Sequence, residues 1–514
     1  MTSMRRTALL LSIVALAGLA ACEPAPRAGE RAAQTRQTFT SNESVLVDFD
    51  LDGTIHANAG TDDATLRTLI GAQLMYSIGA LNADRSVGRL ERLELSAIVR
   101  KPTGEITYHA KLPVAWGAPS AAPATYRLTL PARATENDQT AFAAKYGEKC
   151  VDPEAGTGPI DPSRMFLFYR PERPGCVLGI DDVVTFDAKI SPSTENTTGK
   201  YPEYGRIWED GTLRVVALFS RAEAVDVSGP EDLGARAFIE LMLQTTAHVK
   251  ALAPTMMTTG GDSSGWNLGA TLPDGRRLSI DARLVDHELA NESPLFDQWY
   301  DSRTPDADLI VYSGHAGLGW NVRTLMDKGS FRAGKYVIWS VNGCDTFAYV
   351  DRTLAKRRAL VNPDDPSGTK YMDVVSNVMA GFFDTGPATT LTLIDALVGA
   401  PQTYRDIFAR IDPKQVVVVT GEEDNAFVPR AKAAPSNGTY TPESLPPEPD
   451  DDPAPSSASD DSGEEARVRA CAAAPNRGTS STRDLSMSAA FVAALVGVLV
   501  ARRRSASARD AVTR

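Results

Sequence analysis

Four short uninterrupted apolar runs in the second half of the chain, LRVVALF, DLIVYSG, YVIWSV and QVVVVTG, set the strongest limit on what it can fold into. Successive side chains of a strand point to opposite faces, so a strand with one wet face alternates apolar and polar residues, whereas a continuous apolar run has both faces covered. The runs are separated by stretches that read as helices, among them GARAFIELMLQTTAHVKAL and KYMDVVSNVMAGFFD. Buried strands alternating with helices imply an α/β domain with a mostly parallel sheet over residues 205–430. In such sheets ligands bind beyond the carboxyl ends of the strands.

Residues 44–204 follow a different rule. In VLVDFDLDG, Val45, Val47, Phe49 and Leu51 face one way while Asp48, Asp50 and Asp52 face the other, and RLERLELSAIV repeats the pattern with Leu93, Leu95, Ala97 and Val99. Between these strands Leu66, Leu69, Ile70, Leu74, Ile78 and Leu81 recur at helical spacing. This predicts an α+β, strand-rich domain with a helix over its dry face.

Both termini carry addresses. Two arginines lie in residues 1–6, LLLSIVALAGLAA is too short for a membrane span, and Leu19-Ala20-Ala21-Cys22 follows. That tetrapeptide resembles the bacterial lipobox, which implies that residues 1–22 are a lipoprotein signal peptide and that Cys22 carries the lipid. The simpler alternative is an ordinary signal peptide cut near Ala20 or Ala21. Residues 23–43 read as a linker. Residues 431–483, with PPEPDDDPAPSSASDDSGEE, cannot bury enough apolar surface to fold and read as a solvated stalk. Residues 484–514 place LSMSAAFVAALVGVLVA before Arg502, Arg503 and Arg504, a minimal apolar helix with its arginines on the cytoplasmic side. With Cys471 upstream, the segment resembles the tripartite sorting signals known as MYXO-CTERM, which implies processing at Cys471, although Ala470 stands where that family has glycine. The alternative is a single tail anchor. All these readings place the protein in the cell envelope, tethered to a membrane by an N-terminal lipid, a C-terminal helix or both, and exposed to the periplasm or the cell surface.

The net charge of −12, with no basic stripe, argues against a nucleic-acid partner. Of five cysteines, Cys150 and Cys176 both lie in turn-rich sequence of one region and form the natural disulfide of an exported chain, worth roughly 3 kcal/mol in the chain-entropy description. With Cys22 and Cys471 assigned to the terminal signals, Cys344 is the thiol left over.

Cys344 follows the apolar run YVIWSVNG, and His315 follows DLIVYSG. A cysteine at the end of a buried strand can be a disulfide half, a metal ligand, a core residue or a nucleophile. No third ligand lies nearby in sequence to complete a metal site. If the two strands are neighbours, an imidazole and a thiol meet at one sheet edge, where a base activates a sulfur nucleophile. The pair resembles the caspase, legumain and gingipain clan of cysteine peptidases over roughly residues 210–430. That clan is marked by one apolar strand ending in His-Gly and a second ending in Ala-Cys or Gly-Cys. The resemblance implies a His315/Cys344 dyad that hydrolyses a protein or peptide substrate without a cofactor, and an oxyanion held by N–H groups of Cys344 and of the loops with Gly314, Ala316, Gly317 and Gly343. In this chain Ala316 separates His315 from Gly317, and Asp345, directly after Cys344, is a carboxylate that would raise the thiol pKa. Glu422, Glu423 and Asp424 follow QVVVVTG and are candidates for binding a basic substrate side chain; a solvated turn explains them equally simply. The competing reading is a noncatalytic surface module on the same scaffold.

Two further motifs have structural alternatives. FDLDGT resembles the first motif of haloacid-dehalogenase-type phosphatases, with Asp50 as nucleophile and Asp52 as acid; the simpler reading is a strand ending in an Asp-Gly turn. GDSSG at 261–265, with His248 upstream, resembles the serine-peptidase loop, but the separation is too short and a Gly/Ser-rich loop bordering the cleft is expected.

Overall fold

The structure is a computed structural model that describes residues 38–429, apart from 59, 118–120, 156–158, 224–230, 254–256, 263 and 423–425. The expected signal peptide, Cys22, Cys471, the stalk and the C-terminal helix lie outside the described residues. No helix among the described residues is long and apolar enough to cross a membrane.

In chain order the strands are β1 (Thr40–Ser41), β2 (Val45–His56), β3 (Val87–Gly88), β4 (Glu94–Arg100), β5 (Glu105–Trp116), β6 (Thr125–Pro131), β7 (Val183–Pro192), β8 (Thr212–Ser220), β9 (Met257–Gly261), β10 (Gly265–Thr271), β11 (Arg277–Val285), β12 (Leu309–Ser313), β13 (Val337–Asn342), β14 (Met372–Asn377) and β15 (Val417–Gly421). Strands β2 to β7 form an antiparallel sheet in the order β3-β5-β2-β7-β6, with β4 added on β5. The alternation read in β2 holds for Val47, Phe49 and Leu51, which are buried. In β4 it breaks. Ala97 takes a positive φ of 47° and the register shifts between Ser96 and Val99, so Ile98 packs inward and Val99 is 55% exposed. A β-bulge inserts one residue and flips everything beyond it to the other face.

The helix Asp63–Asn82 forms where its spacing predicts. Asp62 caps it, accepting from Ala64 N and Thr65 N at 3.0 Å each. Leu66, Ile70, Leu74 and Leu81 are fully buried against the smaller sheet, each contributing roughly 1.5–3 kcal/mol. Ile78 instead joins Leu46, Val87 and Ala115 in a core shared with the larger sheet. The Cys150–Cys176 disulfide is formed.

The larger sheet runs β1-β15-β14-β13-β12-β8-β11-β10-β9. Its interior, β11-β8-β12-β13-β14, is parallel at every pair, whereas β10 and β9 on one edge and β15 and β1 on the other are antiparallel. The expectation of a mostly parallel sheet is therefore corrected to a mixed sheet in an α+β chain. A continuous apolar run reports that both faces are covered; it carries no information about strand direction. Thr40–Ser41, expected in the linker 23–43, is an edge strand of this sheet. Alternate residues feed opposite cores: Val215, Ala217, Phe219, Leu309 and Val311 meet Phe238 and Leu241 of the helix Leu233–Leu252, while Val216, Leu218, Ile310 and Tyr312 meet Phe296, Tyr300 and Leu325 on the other face. KYMDVVSNVMAGFFD, expected as a helix, contains β14. Its polar residues Asp373, Ser376 and Asn377 are buried in the strand, and only the fold supplies their surroundings.

Candidate active site

The chain leaves β8 toward β11 on one side and then crosses back to β12, β13 and β14 on the other, so the strand order reverses between β8 and β12. The crevice outside the carboxyl ends at such a switch point is where open α/β sheets bind ligands. His315 and Cys344 belong to this end of the sheet. Strands β12 and β13 are parallel neighbours with Ser313 opposite Asn342, and Gly314 N continues the ladder by donating to Asn342 O at 3.0 Å. The two loops that follow are in van der Waals contact. A Cβ at Gly343 would lie 2.7 Å from Gly314 O and 3.3 Å from Ala316 N, which is why this position is glycine.

The His315 ring is held from two sides. Its Nε2 is 3.0 Å from Ala222 O in the loop after β8, and Phe383 packs edge-to-face on it at 5.0 Å between centroids. A carbonyl oxygen only accepts, so Nε2 bears the proton and the lone pair of the neutral ring is on Nδ1. Cys344 is 7% exposed, with Sγ 3.8 Å from Gly381 O, and Asp345 N donates to Met379 O at 3.2 Å. The loop after β14 thus lies over both residues. Neither Ala222, Gly381 nor Phe383 carried a sequence signal, because each acts through backbone or packing.

Two expectations about this site change. Cys344 is not a leftover thiol: its sulfur is disulfide-bonded. Any thiol chemistry at Cys344 would require reduction of that bond first. The Gly314 N–H, expected among the oxyanion donors, is engaged by Asn342 O.

The proposed specificity residues are also corrected. Because β15 is antiparallel to β14, Glu422 emerges at the opposite end of the sheet from His315 and Cys344. It is 1% exposed and faces Lys200, whose Nζ lies 3.3 Å from Glu422 Oε2, 3.0 Å from Asp373 Oδ1 and 2.7 Å from Glu422 O. Asp373 Oδ2 also accepts from Tyr336 and Tyr404 at 2.6 and 2.8 Å. Burial alone would push the Lys200 ammonium down, but the two carboxylates hold it above its ordinary range. Lys200→Met leaves both carboxylates buried without their cation, and the expected loss in urea unfolding of the full chain is roughly 3 kcal/mol or more. A loss below about 1 kcal/mol, the scale of an exposed pair, would show that water reaches the cluster. Glu423 and Asp424 lie outside the described residues.

The other motifs resolve structurally. β2 does not end at Asp52-Gly53 but runs on to His56, paired with β5 throughout, and Asp52 Oδ1 lies 3.0 Å from His109 Nδ1 on an exposed face. Asp50 Oδ1 is 3.6 Å from His109 Nε2. In GDSSG, Gly261 ends β9 and Gly265 begins β10, and Asp262 Oδ1 accepts from Ser264 N and Gly265 N at 2.8 and 3.1 Å. His248 pairs instead with Asp395, 3.2 Å away on the helix Gly386–Val398. Among the described residues no group of three or more His, Cys, Asp or Glu side chains is placed to hold a metal ion.

No family model matches the chain, and neither a curated protein nor a solved structure does.

Proposed function

We propose that the reduced chain is a cysteine endopeptidase-like hydrolase of the cell envelope, similar in its His/Cys arrangement to the caspase, legumain and gingipain clan. The observation that carries this reading is the adjacency of β12 and β13 in parallel register, which puts the His315 and Cys344 loops in contact beside the switch point of the sheet. In the proposed reaction His315 Nδ1 takes the thiol proton, Cys344 Sγ attacks the scissile carbonyl carbon, and the proton passes to the amine as the peptide bond breaks. Water then hydrolyses the thioester with His315 as base, returning the thiol. Backbone N–H groups of Cys344 and of the loop with Ala316 and Gly317 would receive the oxyanion.

The burial of Cys344, with its Sγ 3.8 Å from Gly381 O, favours the competing reading, a noncatalytic surface module. Covalent labelling separates the two. The full-length chain, with and without reductant, is treated with a panel of Arg, Lys, Asn and Asp acyloxymethyl ketones beside its Cys344→Ala and His315→Ala variants. Labelling of the reduced wild type alone supports the peptidase and names the preferred side chain; no labelling under reducing conditions leaves the binding module.

A further inference from the structure

The peptide that orients His315 is itself gripped from behind. Asp232, 1% exposed, caps the helix Leu233–Leu252 by accepting from Ala235 N at 2.7 Å. That alone is ordinary for an N-cap aspartate. Its carboxylate also reaches across to the loop after β8, accepting from Ala222 N at 3.0 Å and from Glu223 N at 3.0 Å. The Glu223 N–H belongs to the same peptide unit as the Ala222 carbonyl, which is 3.0 Å from His315 Nε2. A single peptide group therefore stands between a buried carboxylate and the imidazole.

We propose that Asp232 is a positioning residue for His315, acting through the Ala222–Glu223 peptide. A carboxylate accepting from a peptide N–H draws electron density toward the carbonyl end and makes that oxygen a stronger acceptor. The Ala222 carbonyl then holds the neutral imidazole in the Nε2–H tautomer, with the Nδ1 lone pair as the base. When His315 takes a proton, the negative charge behind the peptide stabilises the imidazolium. The catalytic part of this inference rests on the peptidase reading; the tautomer part does not.

Asp232→Asn is the informative variant, because asparagine caps helices about as well as aspartate and keeps one acceptor oxygen while removing the charge. In the reduced full-length chain the expected result is a fall of about tenfold in kinact for the best acyloxymethyl ketone with KI unchanged. In the His315→Ala background the same substitution has no further effect, as required of two residues in one chain of action. An equal fall in that background would overturn the proposal in favour of a purely structural cap. Independently, 15N spectra of histidine-labelled protein, with His315→Ala to assign the signal, should show His315 in one Nε2–H tautomer and Asp232→Asn shifting it toward a mixture. An unchanged tautomer sinks the proposal. If the wild type is not labelled at all, the peptidase reading fails and the spectra alone decide the role of Asp232.

Discussion

Replacing Cys344 by alanine is expected to abolish labelling of the reduced chain, and His315→Ala to slow it by roughly 10²–10⁴-fold, the range a positioned general base contributes. The two effects should differ because, on the proposed reading, the sulfur forms the bond while the imidazole only raises the fraction of thiolate and later moves a proton. An unassisted thiol is a few per cent thiolate at neutral pH, so residual labelling of His315→Ala should rise as the pH is raised, whereas Cys344→Ala stays silent at every pH. Wild type labelled only with reductant would show that the disulfide at Cys344 holds the site latent. A different outcome, in which alkylating reagents reach Cys344 only after unfolding even in the reduced chain, makes it a core residue.

The second large effect is expected one residue further on. Asp345 is 2% exposed, adopts a left-handed φ of 53°, and its Oδ1 has no hydrogen-bond partner among the described residues. Burial pushes its carboxyl up to about 7, against smaller opposing effects of the Asn82 hydrogen bond and the Arg170 charge. Between roughly pH 4 and pH 7 the unfolded chain has already lost this proton while the folded chain retains it, so stability falls as pH rises through that window. A shift from 3.8 to about 7 corresponds to a cost on the order of 4 kcal/mol, fully present above pH 7. Asp345→Asn, neutral at all pH, should therefore match the wild type near pH 4 and exceed its unfolding free energy by that order at pH 8. Parallel stability curves for the two proteins across this range would mean that the carboxylate is solvated. On the proposed peptidase reading the same shift matters for the thiol: below pH 7 the neighbour of Cys344 is largely an uncharged acid, so the repulsion that a carboxylate would exert on a thiolate develops only above it.

Much of the fold was legible because burial leaves a local trace. The apolar spacing of Leu66, Ile70 and Leu74 marked the helix that buries them, and LRVVALF, DLIVYSG and YVIWSV marked β8, β12 and β13. The bulge at Ala97 was not legible, since the same residues alternate on paper whether or not one is extra. Strand β14 was missed because Asp373 looks like a surface residue until Lys200, Tyr336 and Tyr404 close around it.

For the site, the sequence by itself determined which residues are candidates, because an imidazole and a thiol at the ends of buried strands are properties of short segments. It also determined the Cys150–Cys176 bond, from two cysteines in neighbouring turns. Only the tertiary structure decided which strands are neighbours and which way each one runs. That put His315 beside the Cys344 loop and sent Glu422 to the far end of the sheet, where it meets Lys200. It alone placed the Ala222 carbonyl on the imidazole and Asp232 behind it. The physical reason is range: side-chain periodicity is set within a few residues, while strand order, strand direction and backbone contacts are set by segments far apart in the chain, as where Thr40 pairs with Val419, and a backbone carbonyl is the same in every residue.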